Sequence, residues 1–350
     1  MAGQLRVGVL GLTHDHVWKN LQELNASPLG ELVAAADPNE PLRDRVRSEY
    51  ACPQAFDSYE AMLDQVALDA VYVYTDNATA AELVEMAAER GLHAMVEKPM
   101  AADLEGADRM LAAAREAGVQ LMVNWPFAWW PNLQRAIAMA QAGEIGQLFG
   151  VKYRAAHAGP KELGCSPYFY NWLYDPELNG AGALMDYCCY GAALARHLLG
   201  QPSQVVGVVG RLQKEYITVE DNAVIVMQWP RAIAISEASW TQIGHLTSYV
   251  TVIYGSEGTL VVEPPTAGGR VLLATREHED GIEIDVPEPP EEMRSATAYF
   301  LSRVAQGKPI EGLCRAEVGR DAQEILEAGL ISAANGEAVP LPLPPAYLSW

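Results

Sequence analysis

From Leu5 to Val123, short apolar runs alternate with amphipathic stretches, and this alternation constrains the fold more than any other feature of the 350 residues. Leu5–Leu10, Leu32–Ala36, Ala70–Tyr74, His93–Glu97 and Val119–Val123 are brief and apolar, as buried strands are. Val17–Leu24, Pro41–Tyr50 and Ala78–Arg90 carry helical spacing between them, with Gly91 where a left-handed C-cap belongs. Asp103 has the position of an N-cap for a helix that ends at Gly118. Strand–helix units in succession require right-handed crossovers, so this part is predicted to be a doubly wound parallel sheet.

After Gln147 the rhythm changes. Phe149–Ala156, Val205–Leu212, Ala223–Trp229, Ala232–Trp240, Tyr249–Tyr254, Thr259–Glu263, Val271–Ala274 and Ile282–Val286 are β-rich, with Gly, Pro and Asn marking many of the turns. Adjacent runs of this kind pair as hairpins, so a large, open, mostly antiparallel sheet is expected. Helices are predicted over Ala181–Leu199, Glu291–Ala305 and Ala316–Ala334, and Pro340–Pro345 reads as an extended arm. The fold class is therefore α/β, with a parallel-sheet domain over residues 1–124 and an α+β domain over 125–350.

A formal net charge of −21 argues against nucleic acid and anionic membrane surfaces as partners. It does not oppose an anionic cofactor, because helix N-termini bind phosphate through backbone N–H groups. No apolar run is long enough to cross a bilayer, and no basic region followed by an apolar stretch opens the chain. Five scattered cysteines, Cys52, Cys165, Cys188, Cys189 and Cys314, form no disulfide framework. A cytoplasmic location is the expectation.

The first predicted strand leads into Gly11-Leu12-Thr13-His14-Asp15-His16. Dinucleotide-binding turns place three glycines here as G-x-G-x-x-G; this chain keeps Gly11 and substitutes Thr13 and His16. Thr13 and His14 are candidates to face a phosphate. Asp37 ends the second strand, where an acid accepts bonds from the adenosine ribose and repels a 2′-phosphate, which favours NAD over NADP. It is equally placed to cap the next helix. Thr75 and Asn77 follow the third strand, either lining the nicotinamide side or starting a helix. His14 and His16 flank an acid, yet residues two apart do not share a face and no further His/Cys cluster joins them, so no metal site is expected.

Glu97-Lys98-Pro99 stands at the carboxyl end of the fourth apolar run, where open α/β sheets place their ligands. Proline ends the strand and permits a cis Lys98–Pro99 bond. Farther on, Asp186 and Tyr190 are four apart in a helical segment, the spacing of one face.

Together with Gly143-Glu144-Ile145-Gly146, Gly180–Asp186 and Gly255-Ser256-Glu257-Gly258, these motifs resemble, in order, the glucose–fructose oxidoreductase/inositol dehydrogenase (Gfo/Idh/MocA) family. The resemblance spans nearly the whole chain. It implies an N-terminal Rossmann domain, a C-terminal domain with a large open sheet, a nicotinamide cofactor and a homodimer or homotetramer built through that sheet. It assigns Gly11, Thr13, His14, Asp37, Thr75, Asn77, Glu97 and Lys98 to the cofactor, and Lys98, Asp186 and Tyr190 to catalysis. Tyrosine stands at 190 where histidine is the common acid/base, as in members resembling glucose–fructose oxidoreductase and dihydrodiol dehydrogenase. Asp76 replaces a proline, and Trp125-Pro126 follows Asn124 where many members have an aromatic–arginine pair.

The chemistry implied is oxidation of a secondary alcohol of a sugar, polyol or cyclic alcohol by hydride transfer, the protein orienting the carbon and handling the proton. In this reading Tyr190 relays the proton, Lys98 lowers its pKa and holds the substrate hydroxyl, and Asp186 orients the substrate. Trp125, His157, Tyr168 and Trp172 are candidates to line the sugar site and equally plausible core residues. Two other functions fit the same motifs: a glycosidase-like redox cycle that accumulates no NADH, and an NAD-binding ligand sensor.

Overall fold

The computed structural model describes residues 3–344. Six strands make the first sheet: β1 (Leu5–Leu10), β2 (Gly30–Ala36), β3 (Ala55–Phe56), β4 (Ala70–Val73), β5 (His93–Glu97) and β6 (Leu121–Asn124). Their order is β3-β2-β1-β4-β5-β6, and every pairing is parallel. This is the doubly wound order, and the direction of winding reverses between β1 and β4, which opens a crevice at their carboxyl ends. The sheet's centre is nearly solvent-free, with Val7, Val9, Val71 and Tyr72 fully buried.

Local chemistry accounts for the helix limits. Asp103 accepts the N–H of Gly106 at 2.7 Å and Gly118 adopts a left-handed conformation, bounding the helix Leu104–Ala117. β3 and the helix Tyr59–Gln65 were not foreseen, nor, farther along, were the helices Pro131–Gln141 and Pro167–Leu173. A two-residue strand and a seven-residue helix are too short to show a period.

The second sheet has nine strands: β7 (Leu148–Ala156), β8 (Gln204–Gly210), β9 (Asn222–Trp229), β10 (Ala232–Ser239), β11 (Val250–Gly255), β12 (Thr259–Val262), β13 (Val271–Ala274), β14 (Ile282–Ile284) and β15 (Val339–Pro340). The order is β14-β13-β12-β11-β7-β10-β9-β8-β15, antiparallel throughout except for β7 with β10. The expected arm begins as β15, an edge strand on β8; its last residue, Pro345, lies outside the described residues. The helices Cys189–Leu199 and Ala316–Asn335 cover one face of this sheet. Gly191 is where the first of them comes closest: a Cβ there would lie 2.2 Å from Ser236 Oγ. The other face leaves Phe149, Val208 and Ile233 exposed.

The chain returns to the first sheet near its end. The helix Ala296–Gln306 packs on the helix Val17–Ala26, with Phe300 edge-on to Tyr72 and Thr297 bonded to Asn20. The helix Ala316–Asn335 reaches back as well: Glu327 accepts the N–H of Leu104 at 2.8 Å.

Candidate active site

The turn after β1 lines one wall of the crevice. Gly11 has φ +84°, and a Cβ there would lie 2.3 Å from Thr75 Cγ2, so the first glycine of the fingerprint is sterically required. The rest of the turn is held by side chains. Asp37 is fully buried; one oxygen accepts the N–H of Leu12 at 2.7 Å and the other accepts from Asn39 N and Nδ2. Burial raises its pKa against these bonds. Asp37 thus faces the protein, and the ribose-accepting role expected of it requires lone pairs beyond those already engaged. Arg43, in the first turn of the helix Glu40–Tyr50, bonds the carbonyls of Asp37 and Pro38.

His14 Nδ1 accepts the N–H of His16 at 3.3 Å, and Asp15 accepts the N–H of Ser166 from the second domain at 2.7 Å. Thr13 touches only the Tyr74 carbonyl, at 3.5 Å. Among the described residues the N–H groups of Thr13 and Asp15 have no partner, which leaves donors for a phosphate. Thr75 Oγ1 donates to the Asp76 carbonyl, and Asp76 caps the helix Asn77–Glu89 through Thr79. Asn77 is committed elsewhere: it is buried and donates to Asn179 O and Oδ1, tying the two domains together instead of lining a nicotinamide.

Buried polar atoms without partners also line this region: His14 Nε2, Tyr74 OH and Trp172 Nε1. Groups of this kind are costly unless a polar ligand or water meets them. With the free donors of the turn, they fit a bound dinucleotide.

The opposite wall is built on Lys98, which follows β5 with a cis bond to Pro99. Its ammonium, almost completely buried, lies 2.5 Å from Asp186 Oδ1 and 3.0 Å from the Asp186 carbonyl. Burial draws the Lys98 pKa down, Asp186 more than offsets it, and the net shift is upward. The indole N–H of Trp240, at the end of β10, donates to Asp186 Oδ2 at 3.1 Å. Trp240 was not foreseen, and both Asp186 oxygens are engaged by the protein.

Asp186 and Tyr187 sit in a π-helical turn, Leu184–Cys188, that leads into the helix Cys189–Leu199. Glu220 accepts the N–H groups of Gly182 and Leu184 and fixes the entry to this turn. The wider turn carries two phenols to Lys98: Nζ is 5.4 Å from the Tyr187 ring centroid and 5.2 Å from that of Tyr190.

The expectation that Lys98 lowers the Tyr190 pKa is corrected. The ammonium meets the ring face, and Tyr190 lies among Phe127, Tyr153 and Trp125, with centroids 4.9, 5.7 and 5.9 Å away. Burial pushes its phenol well above the ordinary value, and does the same to Tyr187, so the pKa direction does not separate the two. Trp125 is fully buried against Tyr190, and Trp172 is buried against Phe169 and His14, so both are core rings and not open sugar platforms. Tyr168 lies exposed on the helix Pro167–Leu173.

His157 does reach the cleft. It extends β7, its N–H and carbonyl bonded to Ser239 and Gln242. Its Nδ1 accepts the N–H of Gly159 at 2.8 Å and its Nε2 lies 2.7 Å from Tyr187 OH. Burial lowers its pKa to about 4.

The structure also joins what the sequence kept apart. His14, His16 and Glu97 place ligand atoms within 4.8 Å of one another, so the histidine pair does gain a third metal-ligating group. Here His16 Nδ1 is 3.1 Å from Glu97 Oε2 and Asn124 holds Oε1, while His14 Nε2 stands 3.9 Å from Glu97 without a hydrogen bond. Glu97 comes from a strand about eighty positions later, which no local spacing reveals.

Residues 5–125 match the profile of an oxidoreductase family with an NAD-binding Rossmann fold, and residues 133–261 match the GFO/IDH/MocA C-terminal domain. The chain is 32% identical over 259 residues to the NADP-dependent D-xylose 1-dehydrogenase of Haloarcula marismortui, covering 71% of this chain and 69% of that one. The chain belongs to the Gfo/Idh/MocA family.

Other similar proteins are named for different reactions. D-xylose 1-dehydrogenase (NADP(+)) 2 of Haloferax volcanii is 33% identical over 57% of this chain and 58% of its own length, so the match spans less than two thirds of it. A dTDP-3,4-didehydro-2,6-dideoxy-alpha-D-glucose 3-reductase of Streptomyces violaceoruber is 27% identical over 95% of each chain. Levoglucosan dehydrogenase, solved with NADH and levoglucosan, shares the fold with a TM-score of 0.82 over 97% of this chain and 100% of that chain at 21% identity. Among the described residues no helix is long and apolar enough to cross a membrane.

Proposed function

We propose that this chain is an NAD(P)-dependent oxidoreductase interconverting a secondary alcohol and a ketone on a sugar, polyol or cyclic alcohol. The observation that carries this reading is the buried Lys98–Asp186 pair, at the carboxyl edge of a parallel sheet and beside free donors of the glycine turn. Relatives named as sugar dehydrogenases and nucleotide-sugar reductases support the substrate class. When bound, the nicotinamide supplies the hydride donor or acceptor. The turn Gly11–His16 and Glu97 hold the dinucleotide, and Lys98 directs its remaining N–H at the substrate oxygen, stabilising charge as it develops there. Asp186, fixed by Trp240, keeps Lys98 charged and aimed.

The Asp37 charge favours NAD; Arg43 beside it is the group a 2′-phosphate would use. The exposed apolar face of the nine-stranded sheet, with Phe149, Val208 and Ile233, is where a second copy packs to give a homodimer or homotetramer.

The test is turnover of a panel of sugars, polyols and their ketones, followed by nicotinamide absorbance. Lys98→Met is expected to abolish turnover while dinucleotide binding persists; undiminished turnover refutes the assignment. Reduced nicotinamide that never accumulates while a glycoside is cleaved identifies the redox-cycle glycosidase instead. Dinucleotide binding with no turnover on any substrate identifies a sensor.

A further inference from the structure

Two phenols compete for the proton in this site, and their surroundings differ. Tyr190 is flanked by Phe127, Tyr153, Trp125 and Tyr187, and among the described residues its hydroxyl makes no hydrogen bond. Tyr187 is half-buried, and its hydroxyl is 2.7 Å from His157 Nε2 and 3.3 Å from Tyr249 OH. The family's spacing points to position 190, whereas the hydrogen-bonded hydroxyl belongs to position 187.

The tautomer of His157 gives these contacts a direction. Nδ1 accepts the Gly159 N–H, so a neutral ring carries its proton on Nε2 and donates it to the Tyr187 oxygen. Tyr249 OH lies 3.3 Å from the same oxygen, where either hydroxyl can act as the donor and Tyr249 can donate to a phenolate once Tyr187 has given up its proton. An oxygen that accepts one N–H bond and has a second hydroxyl within reach is built to carry negative charge for a moment. Tyr190 has no comparable donors.

We propose that Tyr187, supported by His157 and Tyr249, is the residue that exchanges the proton with the substrate oxygen, and that Tyr190 is an aromatic packing partner of Lys98. The proposal rests on the oxidoreductase reading above. In the reducing direction the ketone carbon gains hydride from a nicotinamide dinucleotide, the Tyr187 O–H bond breaks and its proton forms the new alcohol O–H. The phenolate left behind is held by His157 Nε2–H and Tyr249 O–H until water returns a proton. Alcohol oxidation is the same exchange reversed. His157 is a positioning residue, since it acts through Tyr187.

The experiment compares Tyr187→Phe, Tyr190→Phe, His157→Phe and His157→Gln in the full chain, measuring kcat on the best substrate of the panel and dinucleotide affinity by fluorescence. Tyr187→Phe is expected to lower kcat roughly 100-fold or more, the scale of a lost general acid–base, with dinucleotide affinity within about twofold of wild type. Tyr190→Phe is expected to lose less than about tenfold on the same scale. His157→Phe lowers kcat in the same direction, and His157→Gln, whose amide N–H reaches as Nε2–H does, restores most of it. A large loss in Tyr190→Phe with Tyr187→Phe near wild type overturns the proposal and leaves the oxidoreductase reading standing. Equal losses in His157→Phe and His157→Gln overturn the role of His157. A wild-type chain that binds no dinucleotide and reduces no ketone removes both.

Discussion

On the turn side of the crevice, between Gly11 and His16, polar groups are spent mostly on neighbours: Leu12 N–H on Asp37, His16 N–H on His14, and Asp15 on Ser166. On the opposite wall a lysine is buried with one carboxylate, two phenols face it, and a histidine is locked in one tautomer. Side chains replace glycine in holding the turn, so dinucleotide affinity there depends on which N–H groups remain free. The Lys98 wall instead concentrates charge in a nearly dry place, where electrostatic interactions are strongest and an unpaired group is most costly. Substitutions on the two walls should therefore differ in kind. The Lys98 wall controls stability and turnover, and the turn controls binding.

The largest effect is expected from Lys98→Met, which leaves Asp186 buried and unpaired. Removing one partner of a buried pair costs about 3–5 kcal/mol, so the denaturant midpoint should drop sharply. Lys98→Met with Asp186→Asn should recover much of that loss; a double variant no more stable than the single breaks the idea that the pair is electrostatically coupled.

Acid titration comes next. Unfolded His157 takes a proton near 6.5 and the folded residue only at about 4, so its contribution is complete above 6.5 and is lost as pH falls through that interval. The loss is on the order of 3 kcal/mol, and His14, whose burial also lowers its pKa, adds to it in the same direction. Urea unfolding at a series of pH values checks this, and His157→Gln should flatten part of the slope. Trp240→Phe removes one donor to the Asp186 carboxylate and should cost about 2 kcal/mol, read by thermal or urea unfolding. The smallest effect separates the two roles considered for Asp37. If it only positions the turn, Asp37→Asn should weaken NAD and NADP together by roughly tenfold, about 1.4 kcal/mol. A loss confined to NAD restores the ribose contact.

Much of the fold was legible because periodicity is a local signal. The strand β5, the caps Asp103 and Gly118 and the change of rhythm after Gln147 follow from residues within one or two turns of each other. Lys98 was legible for the same reason, as the residue after a buried strand and before proline. Tyr187 was not. A spacing of four selects one face only at 3.6 residues per turn, and the π turn at Leu184–Cys188 breaks that rule where it matters. The bonds of Trp240 to Asp186 and of Glu97 to His16 were not legible because each joins residues far apart in sequence. Trp125 and Trp172 stayed open between sugar site and core because composition does not reveal which side of a ring meets solvent; both are buried.

The returning helix Ala296–Gln306 seals the outer side of the first sheet with Phe300 and Leu301, both fully buried. Gly30, at the start of β2, is so close that a Cβ would fall 2.8 Å from a Leu301 methyl. The nucleotide-binding third, contiguous and seemingly self-sufficient as a stretch of chain, therefore finishes its own interior only after nearly everything downstream has been synthesised. Ribosome-bound fragments that stop short of Ala296 should emerge sticky and protease-sensitive, and hand the growing polypeptide to chaperones.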